Sequence, residues 1–326
     1  MNYRALMSPQ LLLRPPKAVP RIDDLKKVDV SKLPITVIVP TKNEAANIGK
    51  CLTSLAPAQR ILVVDSSNAD ETARLAANQG AEVLQFDHQK RFPKKRQWAL
   101  QNAGIATDWT LLIDADEVVP APLWDEITRV IRSPNPATGY LVRKGFCFMG
   151  RPFRFGGFSH EAIVLFRTGT ARFEQLDQNG CSGMDMEIHE RLIVDGRLAR
   201  LKVPLIHDDL KGLSAYIDRH NRYSTWEAYV RHQFLTTGHW GADSIRPRLF
   251  GNVQERRRFL KQIACRVPGE HWLWFLYHYV GRLGFLEGRA GLIASQMRAH
   301  YIADIHAKMA EFRLGTRQLP DNSSNG

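Results

Sequence analysis

The sequence predicts an α/β fold: a Rossmann-like, mostly parallel sheet flanked by helices, followed by a helical C-terminal region. Short β-branched runs alternate with helix-like segments over residues 35–113, and polar side chains follow the predicted strands. Further along, apolar residues recur at helical spacing. Because parallel strands need a crossover between them, usually a helix, this alternation favours a parallel sheet.

The first predicted unit is a strand over residues 35–39, followed by a helix. Pro40 is expected to stop the strand, and Asn43 or Glu44 to open an amphipathic helix that runs through Leu55. The same criteria predict three more strands, over residues 61–64, 81–86 and 109–113. Helices ending near residues 78 and 103 separate these strands, since Gly80 and Gly104 are typical helix stops.

The chain is expected to have three parts. Residues 1–34 are rich in proline and suit an irregular lead-in. Residues 35–210 form the α/β domain, and residues 211–326 form the helical region.

Composition limits the class of protein and of partner. A hydrophobic content of 44% suits a globular chain, and a formal charge of +12 with a pI near 9.7 favours an anionic partner. No zinc-finger or RNP-like signature is present, which argues against nucleic acid. Four cysteines without C-x-x-C spacing indicate reduced thiols, and the apolar cluster at residues 11–13 is too short for a signal peptide. We therefore expect a cytoplasmic protein.

The segment after the fourth strand carries the strongest chemical signal. Asp114 and Asp116 flank Ala115, and in an extended segment residues two apart point to the same side. Two such carboxylates, completed by phosphate oxygens, suit a divalent cation. By itself D-x-D is a short pattern that also occurs in solvated loops and at helix starts.

Polar residues follow three of the predicted strands, and the carboxyl ends of parallel strands form one ligand-binding crevice. The sets are residues 41–44 (Thr-Lys-Asn-Glu), residues 65–67 (Asp-Ser-Ser) and residues 114–116 (Asp-Ala-Asp). Neither G-x-G-x-x-G nor a Walker loop is present, which excludes the common dinucleotide and P-loop readings.

These segments resemble the family 2 glycosyltransferases, whose nucleotide-sugar-binding fold is labelled GT-A. The matching stretches are residues 37–44 (VIVPTKNE), 63–66 (VVDS) and 112–117 (LIDADE). Residues 94–100 (KKRQWAL) resemble the subgroup that builds bacterial lipopolysaccharide cores and related surface glycans. The resemblance extends over residues 35–210.

The resemblance implies a nucleotide pocket at the first two strand ends. Asp65 would accept a hydrogen bond from the nucleobase, uracil by preference, while Thr41, Asn43 and Glu44 line the same pocket. The alternative for Asn43 and for Ser66 is that their side chains cap helix N-termini.

The resemblance also implies a metal and diphosphate site. Asp114 would contact the ribose or the metal, and Asp116 would bind Mg²⁺ or Mn²⁺, which neutralises the departing diphosphate. Arg96 would add positive charge there unless it belongs to a solvated helix face. His207, which follows a predicted strand, is a candidate late metal ligand or else a packing residue.

An inverting transfer needs a general base for the acceptor hydroxyl, and two carboxylates are candidates. Glu190 lies in a His-Glu pair that resembles a recurrent family feature. Glu161 lies in a glycine-rich, aromatic stretch where the family commonly has aspartate. The sequence leaves the choice between them open, and a structural salt bridge is the third possibility.

Residues 256–282 join basic and aromatic clusters. Arg256, Arg257, Arg258, Lys261 and Arg266 precede an apolar stretch that contains Trp272 and Trp274. The stretch is too short to span a bilayer but suits an anionic membrane surface. The alternative is ordinary helix packing, which the stripe of apolar residues from 293 to 312 also indicates.

The predicted function is therefore an inverting, metal-dependent glycosyltransferase at the inner face of the cytoplasmic membrane. Its partners would be a nucleoside diphosphate sugar donor, UDP-linked, and a bacterial surface glycan or lipid-linked acceptor. A polyprenyl-phosphate glycosyl transferase and a non-catalytic sugar-nucleotide-binding scaffold are the alternatives.

Overall fold

The computed structural model describes residues 32–66, 69–89, 92–176, 184–187, 190–241 and 244–315. Its first four strands are β1 (Leu33–Thr41), β2 (Ala58–Asp65), β3 (Glu82–Gln85) and β4 (Trp109–Leu112). Helices α1 (Ile48–Thr53), α2 (Thr72–Asn78) and α3 (Lys95–Asn102) alternate with them. The strands pair in parallel in the order β3-β2-β1-β4. The predicted α/β alternation is confirmed.

Two local predictions in the first unit are wrong. Pro40 does not stop β1, because that strand continues to Thr41 and pairs Pro40 with Val64. Neither Asn43 nor Glu44 opens a helix: α1 begins at Ile48, and Asn43 has a left-handed backbone with φ of 56°. The turn after β1 is thus irregular, as is common where a loop carries functional groups.

The second part of the sheet is mixed. Its strands are β5 (Glu117–Val118), β6 (Gly139–Phe148), β7 (Arg151–Pro152), β8 (His160–Arg167), β11 (Leu198–Arg200) and β12 (Leu205–His207), while β9 (Ala171–Phe173) and β10 (Leu192–Val194) form a separate pair. Helix α4 (Ala121–Ile131) precedes β6. Strand β8 joins β4 and β6 by antiparallel pairing, and β12 pairs in parallel with β6. These pairings bring β6, β8 and β12 beside the carboxyl end of β4.

The sheet is buried on both faces, as a parallel sheet requires. Alternate residues of β1 separate into two clusters: Val37 and Val39 belong to one, and Ile38 belongs to the other. This alternation fixes the register of the central strand, because a one-residue slip would exchange the two faces.

After residue 211 the described elements are helical. They are α5 (Gly212–Thr237), α6 (Val253–Ala264), α7 (Glu270–Leu276), a π-helical turn (Tyr277–Gly281), a 3₁₀ turn (Gly284–Glu287) and α8 (Gly288–Arg313). The predicted stripe is confirmed, since Tyr301, Ile305, Met309 and Phe312 of α8 are buried against α5. Among the described residues, no helix is both long and apolar enough to cross a membrane.

Candidate active site

The carboxylates after β4 lie in a tight turn at the edge of the crevice. The Asp114 amide donates to Glu117 Oε2 at 2.9 Å, and the Glu117 amide donates to the Asp114 carbonyl at 2.9 Å. Glu117 then starts β5, which pairs with β12 and sets Glu117 opposite His207. The turn therefore presents three acidic side chains to the ends of β6 and β12.

Asp114 lies between two cations. Arg96 Nη2 binds Oδ1 of Asp114, and Lys144 Nζ binds Oδ2 at 2.7 Å while also pairing with Glu117 Oε1 at 2.8 Å. Desolvation alone would raise the pKa of Asp114, but the charges of Arg96 and Lys144 outweigh it and lower that pKa far below its ordinary value. Asp114 is thus a carboxylate held by fixed positive charge.

Asp116 pairs with His207. The distance from Asp116 Oδ2 to His207 Nε2 is 3.1 Å, and the carboxylate outweighs desolvation to raise the pKa of His207 to about 9. The predicted neighbours Asp114, Asp116 and His207 are therefore brought together at one strand edge.

A divalent cation fits this pair. Two adjacent ligands of an octahedral Mg²⁺ lie about 3 Å apart, since each metal–oxygen bond is about 2.1 Å. The hydrogen bond between His207 Nε2 and Asp116 Oδ2, at 3.1 Å, has about this length, so a cation that displaces the shared proton would need little rearrangement of the pair. Across the described residues, no group of three or more His, Cys, Asp or Glu side chains is arranged to hold a metal. Phosphate oxygens would have to complete the ligand set, as is usual for Mg²⁺.

The ends of β1 and β2 form a second cluster. Thr41 Oγ1 donates to Asp65 Oδ1 at 2.7 Å, and Lys95 Nζ donates to the Thr41 carbonyl at 2.5 Å and pairs with Asp185 at 3.1 Å. Ser66 Oγ also binds Asp185, so it does not cap a helix. Asp65 is fully buried, and a nucleobase reaches it only if its neighbours move.

Glu44 contacts Lys211, the residue directly before α5. Its Oε1 accepts from Lys211 Nζ at 2.5 Å and its Oε2 accepts from Asn47 Nδ2 at 2.8 Å. Asn43 is exposed, and its side chain does not cap α1, whose N-cap is Asn47. Left-handed backbone at a non-glycine residue is uncommon and concentrates at functional sites.

Helix α3 connects the two clusters. Lys95 contacts the β1 end, and the next residue, Arg96, contacts Asp114 and the Glu187 carbonyl. The Glu187 carboxylate accepts the backbone amides of Arg96 and Gln97 at 3.0 and 2.9 Å, which satisfies two free donors of the helix start. Arg96 is therefore a fixed cation of the site, and its alternative reading as a solvated side chain is wrong.

The two candidate bases lie in different surroundings. Glu190 is buried and accepts from Lys94 Nζ at 2.5 Å, and the Lys94 ammonium lies 4.4 Å from the centre of the Trp226 ring. Glu161 pairs with Arg200 at 3.2 Å and stands opposite Arg143 in the β6–β8 ladder. Lys144, the neighbour of Arg143, faces Asp114, so alternation directs Glu161 to the other side of the sheet.

Sequence reasoning missed Lys144, His160 and Asp185. Lys144 and its neighbour Arg143 are the two charged residues of a largely apolar strand, which is a usable signal because a buried cation requires a partner. His160 and Asp185 gave no such signal, since their approach to the site depends on strand pairing and loop contacts distant in sequence.

Comparisons with known proteins give the sequence family that this chain resembles. The family described as glycosyl transferase family 2 matches residues 36–184. The chain is 24% identical over 293 residues to the lipopolysaccharide core biosynthesis glycosyltransferase LpsC of Rhizobium meliloti, covering 86% of this chain and 96% of that protein. These two matches support a family 2 glycosyltransferase. This glycosyltransferase is also 35% identical to an uncharacterized glycosyltransferase of Rickettsia felis, over 31% of the chain and 35% of that relative.

Solved structures similar to this glycosyltransferase include a mannosyltransferase of Pyrobaculum calidifontis in complex with GDP-Man and Mn²⁺. The TM-score is 0.44 at 16% identity, covering 88% of this chain and 92% of that one. TarS residues 1–349 of S. aureus match with a TM-score of 0.38 at 17% identity, covering 86% and 91%.

Proposed function

We propose that the protein is an inverting, metal-dependent glycosyltransferase that uses a UDP-linked sugar. The observation that carries the proposal is the joining of two strand-end clusters by α3. Lys95 reaches the Thr41–Asp65 cluster while Arg96 reaches Asp114. A donor whose base lies at the first cluster has its diphosphate near the second, beside Arg96, Lys144 and Asp116.

The residues of the second cluster have different roles toward the ribose, the diphosphate and the metal. Arg96 and Lys144 supply permanent positive charge near the phosphates and hold Asp114, which we assign to the ribose. Asp116 and His207 would hold Mg²⁺ or Mn²⁺, which stabilises the negative charge of the leaving diphosphate when bound.

The acceptor we propose is a lipopolysaccharide core or a related lipid-linked glycan. Support comes from the similarity to LpsC, which extends over nearly the full length of that protein. Transfer from nucleotide sugars onto truncated lipopolysaccharide, measured as release of UDP, tests both substrates. UDP release that does not respond to the added acceptor would exclude this acceptor class.

We also propose that the protein binds an anionic membrane surface through one apolar face, here called the α7 face. The exposed large apolar side chains of α7 and the two turns after it form this face: Trp272, Leu273, Leu276, Tyr277, Val280, Phe285 and Leu286. Exposed Arg266, Arg282 and Arg289 lie next to it in sequence. Exposed apolar side chains with arginines close by in sequence suit an interface of anionic lipid headgroups.

The cations of this surface differ from those predicted. Arg258 is buried against Glu174 and Lys261 pairs with Glu227 at 2.8 Å, so neither is available to lipid, and that part of the prediction is wrong. Trp274 is half-buried and donates to Glu270 at 2.9 Å, whereas Trp272 is 65% exposed. Of the two tryptophans, only Trp272 is placed to enter a membrane interface.

A further inference from the structure

Helix α5 is anchored near its start beside Asp116. Arg219 Nη1 donates to Asp209 Oδ2 at 2.7 Å. The residue before Asp209 is Asp208, whose backbone amide donates to the Asp116 carbonyl at 2.9 Å. These two hydrogen bonds hold the turn of α5 that carries Arg219 close to Asp116.

A second anchor, two turns further along α5, lies beside Arg96. The centre of the Trp226 ring lies 4.4 Å from Nζ of Lys94, which is two residues before Arg96 at the start of α3. Arg96 in turn binds Asp114. The turn of α5 that carries Trp226 is therefore held close to the other carboxylate of the D-x-D segment.

Tyr223 lies between these two anchors on the same face of α5. Residues 219, 223 and 226 are separated by four and three positions, which places their side chains along one side of an α-helix. The Tyr223 side chain is therefore directed to the space between Asp116 and Arg96. The charged groups that act on its hydroxyl are the ones that this placement implies: Arg219, Asp114, Arg96 and Asp116.

The Tyr223 hydroxyl can donate a hydrogen bond to a ligand. The side chain is half-buried, and within the described part of the chain its hydroxyl has no hydrogen-bond partner. A tyrosine hydroxyl that is removed from water normally has such a partner. Desolvation by burial raises the pKa of Tyr223 to about 12, so the phenol keeps its proton at neutral pH. An acceptor oxygen of a bound ligand would supply the missing partner.

We propose that the Tyr223 hydroxyl donates a hydrogen bond to the terminal phosphate of the nucleoside diphosphate, an assignment that rests on the proposed function. As the bond between that phosphate oxygen and the anomeric carbon breaks, its electron pair stays on the oxygen and negative charge grows there. A hydrogen-bond donor fixed at this place stabilises the leaving diphosphate more than the intact nucleotide sugar. The phenol keeps its proton, and no bond of the tyrosine is made or broken.

The test removes the hydroxyl alone, with Tyr223→Phe, and measures the affinities for UDP and UMP by calorimetry in the presence of Mn²⁺. UMP lacks the terminal phosphate, so it reports the contacts of the rest of the nucleotide. We expect Tyr223→Phe to bind UDP about tenfold to a hundredfold more weakly and to bind UMP as wild type does, because hydrogen bonds to charged groups are the stronger ones. The melting temperature should not change, since the hydroxyl bonds to no described residue.

Tyr216→Phe is the matched control. It makes the same change two turns earlier on α5, where the Tyr216 ring meets the Phe148 ring with centroids 6.0 Å apart, and it should leave both affinities unchanged. Equal weakening of UDP and UMP by Tyr223→Phe, or an equal loss of UDP affinity in Tyr216→Phe, would overturn the assignment. If wild type and Tyr223→Phe bind UDP equally well, the assignment alone fails. If wild type binds no UDP, the proposed UDP-linked donor fails and the assignment fails with it.

Discussion

The buried ion pair between Glu174 and Arg258 should dominate the attachment of α6 to the α/β domain. The guanidinium binds both carboxylate oxygens, at 2.6 and 2.8 Å, and both side chains are essentially inaccessible to water. Arg258→Met leaves a buried carboxylate without its counter-ion, which typically costs about 3–5 kcal/mol. Because Glu174 also accepts from the amides of Ile245 and Arg191, we expect the lower end of that range.

Urea denaturation followed by circular dichroism measures this cost. Arg74→Met is the matched control, since Arg74 pairs with Glu71 on the exposed face of the protein and such pairs contribute at most about 1 kcal/mol. The double variant Glu174→Gln with Arg258→Met should lose less unfolding free energy than Arg258→Met alone, because the double variant leaves no unpaired charge buried. If Arg258→Met lowers the unfolding free energy by no more than Arg74→Met does, the reasoning is refuted.

Two further predictions concern pH and membrane binding. Glu270 is buried. Desolvation raises its pKa, but His306 and Arg231 outweigh this effect and lower the pKa from 4.5 to about 2. The ionised side chain therefore contributes on the order of 3 kcal/mol to the unfolding free energy, in full above pH 4.5 and progressively less as pH falls towards 2. Unfolding free energies of wild type and Glu270→Gln, measured between pH 4.5 and pH 2, check this prediction. The same dependence of unfolding free energy on pH in both proteins would contradict it. For the membrane, Trp272→Ala should reduce sedimentation with anionic vesicles at unchanged melting temperature, whereas Trp274→Ala should lower the melting temperature. Added salt should release wild-type protein from the vesicles. If neither salt nor Trp272→Ala weakens vesicle binding, the α7 face is not the membrane-binding surface.

Local sequence signals were enough for the first half of the sheet. Runs such as residues 61–64 and 109–113 are β-branched or apolar, are bounded by polar residues, and become β2 and β4 within a few residues of the predicted bounds. The error at Pro40 has a physical origin. A proline removes one backbone donor but does not end an extended strand whose φ it already matches.

The site was predictable only where its residues follow parallel strands. Asp65, Asp114 and Asp116 could be found because the carboxyl ends of such strands share one edge. Lys144 and His160 are brought together by the antiparallel pairing of β6 with β8, and the register of that pairing depends on contacts distant in sequence. The burial of Glu190 against Lys94 likewise depends on residues 96 positions apart, so no local pattern predicted it.

The central claim is that Asp116, with a divalent cation, supports transfer from a nucleoside diphosphate sugar. UDP release by wild type and by Asp116→Asn, each with Mn²⁺ and with excess chelator, tests it most directly. We predict release by wild type with Mn²⁺, loss of release on chelation, and no release by Asp116→Asn even though its melting temperature matches wild type. Release that persists after chelation and in Asp116→Asn would contradict the metal-dependent account.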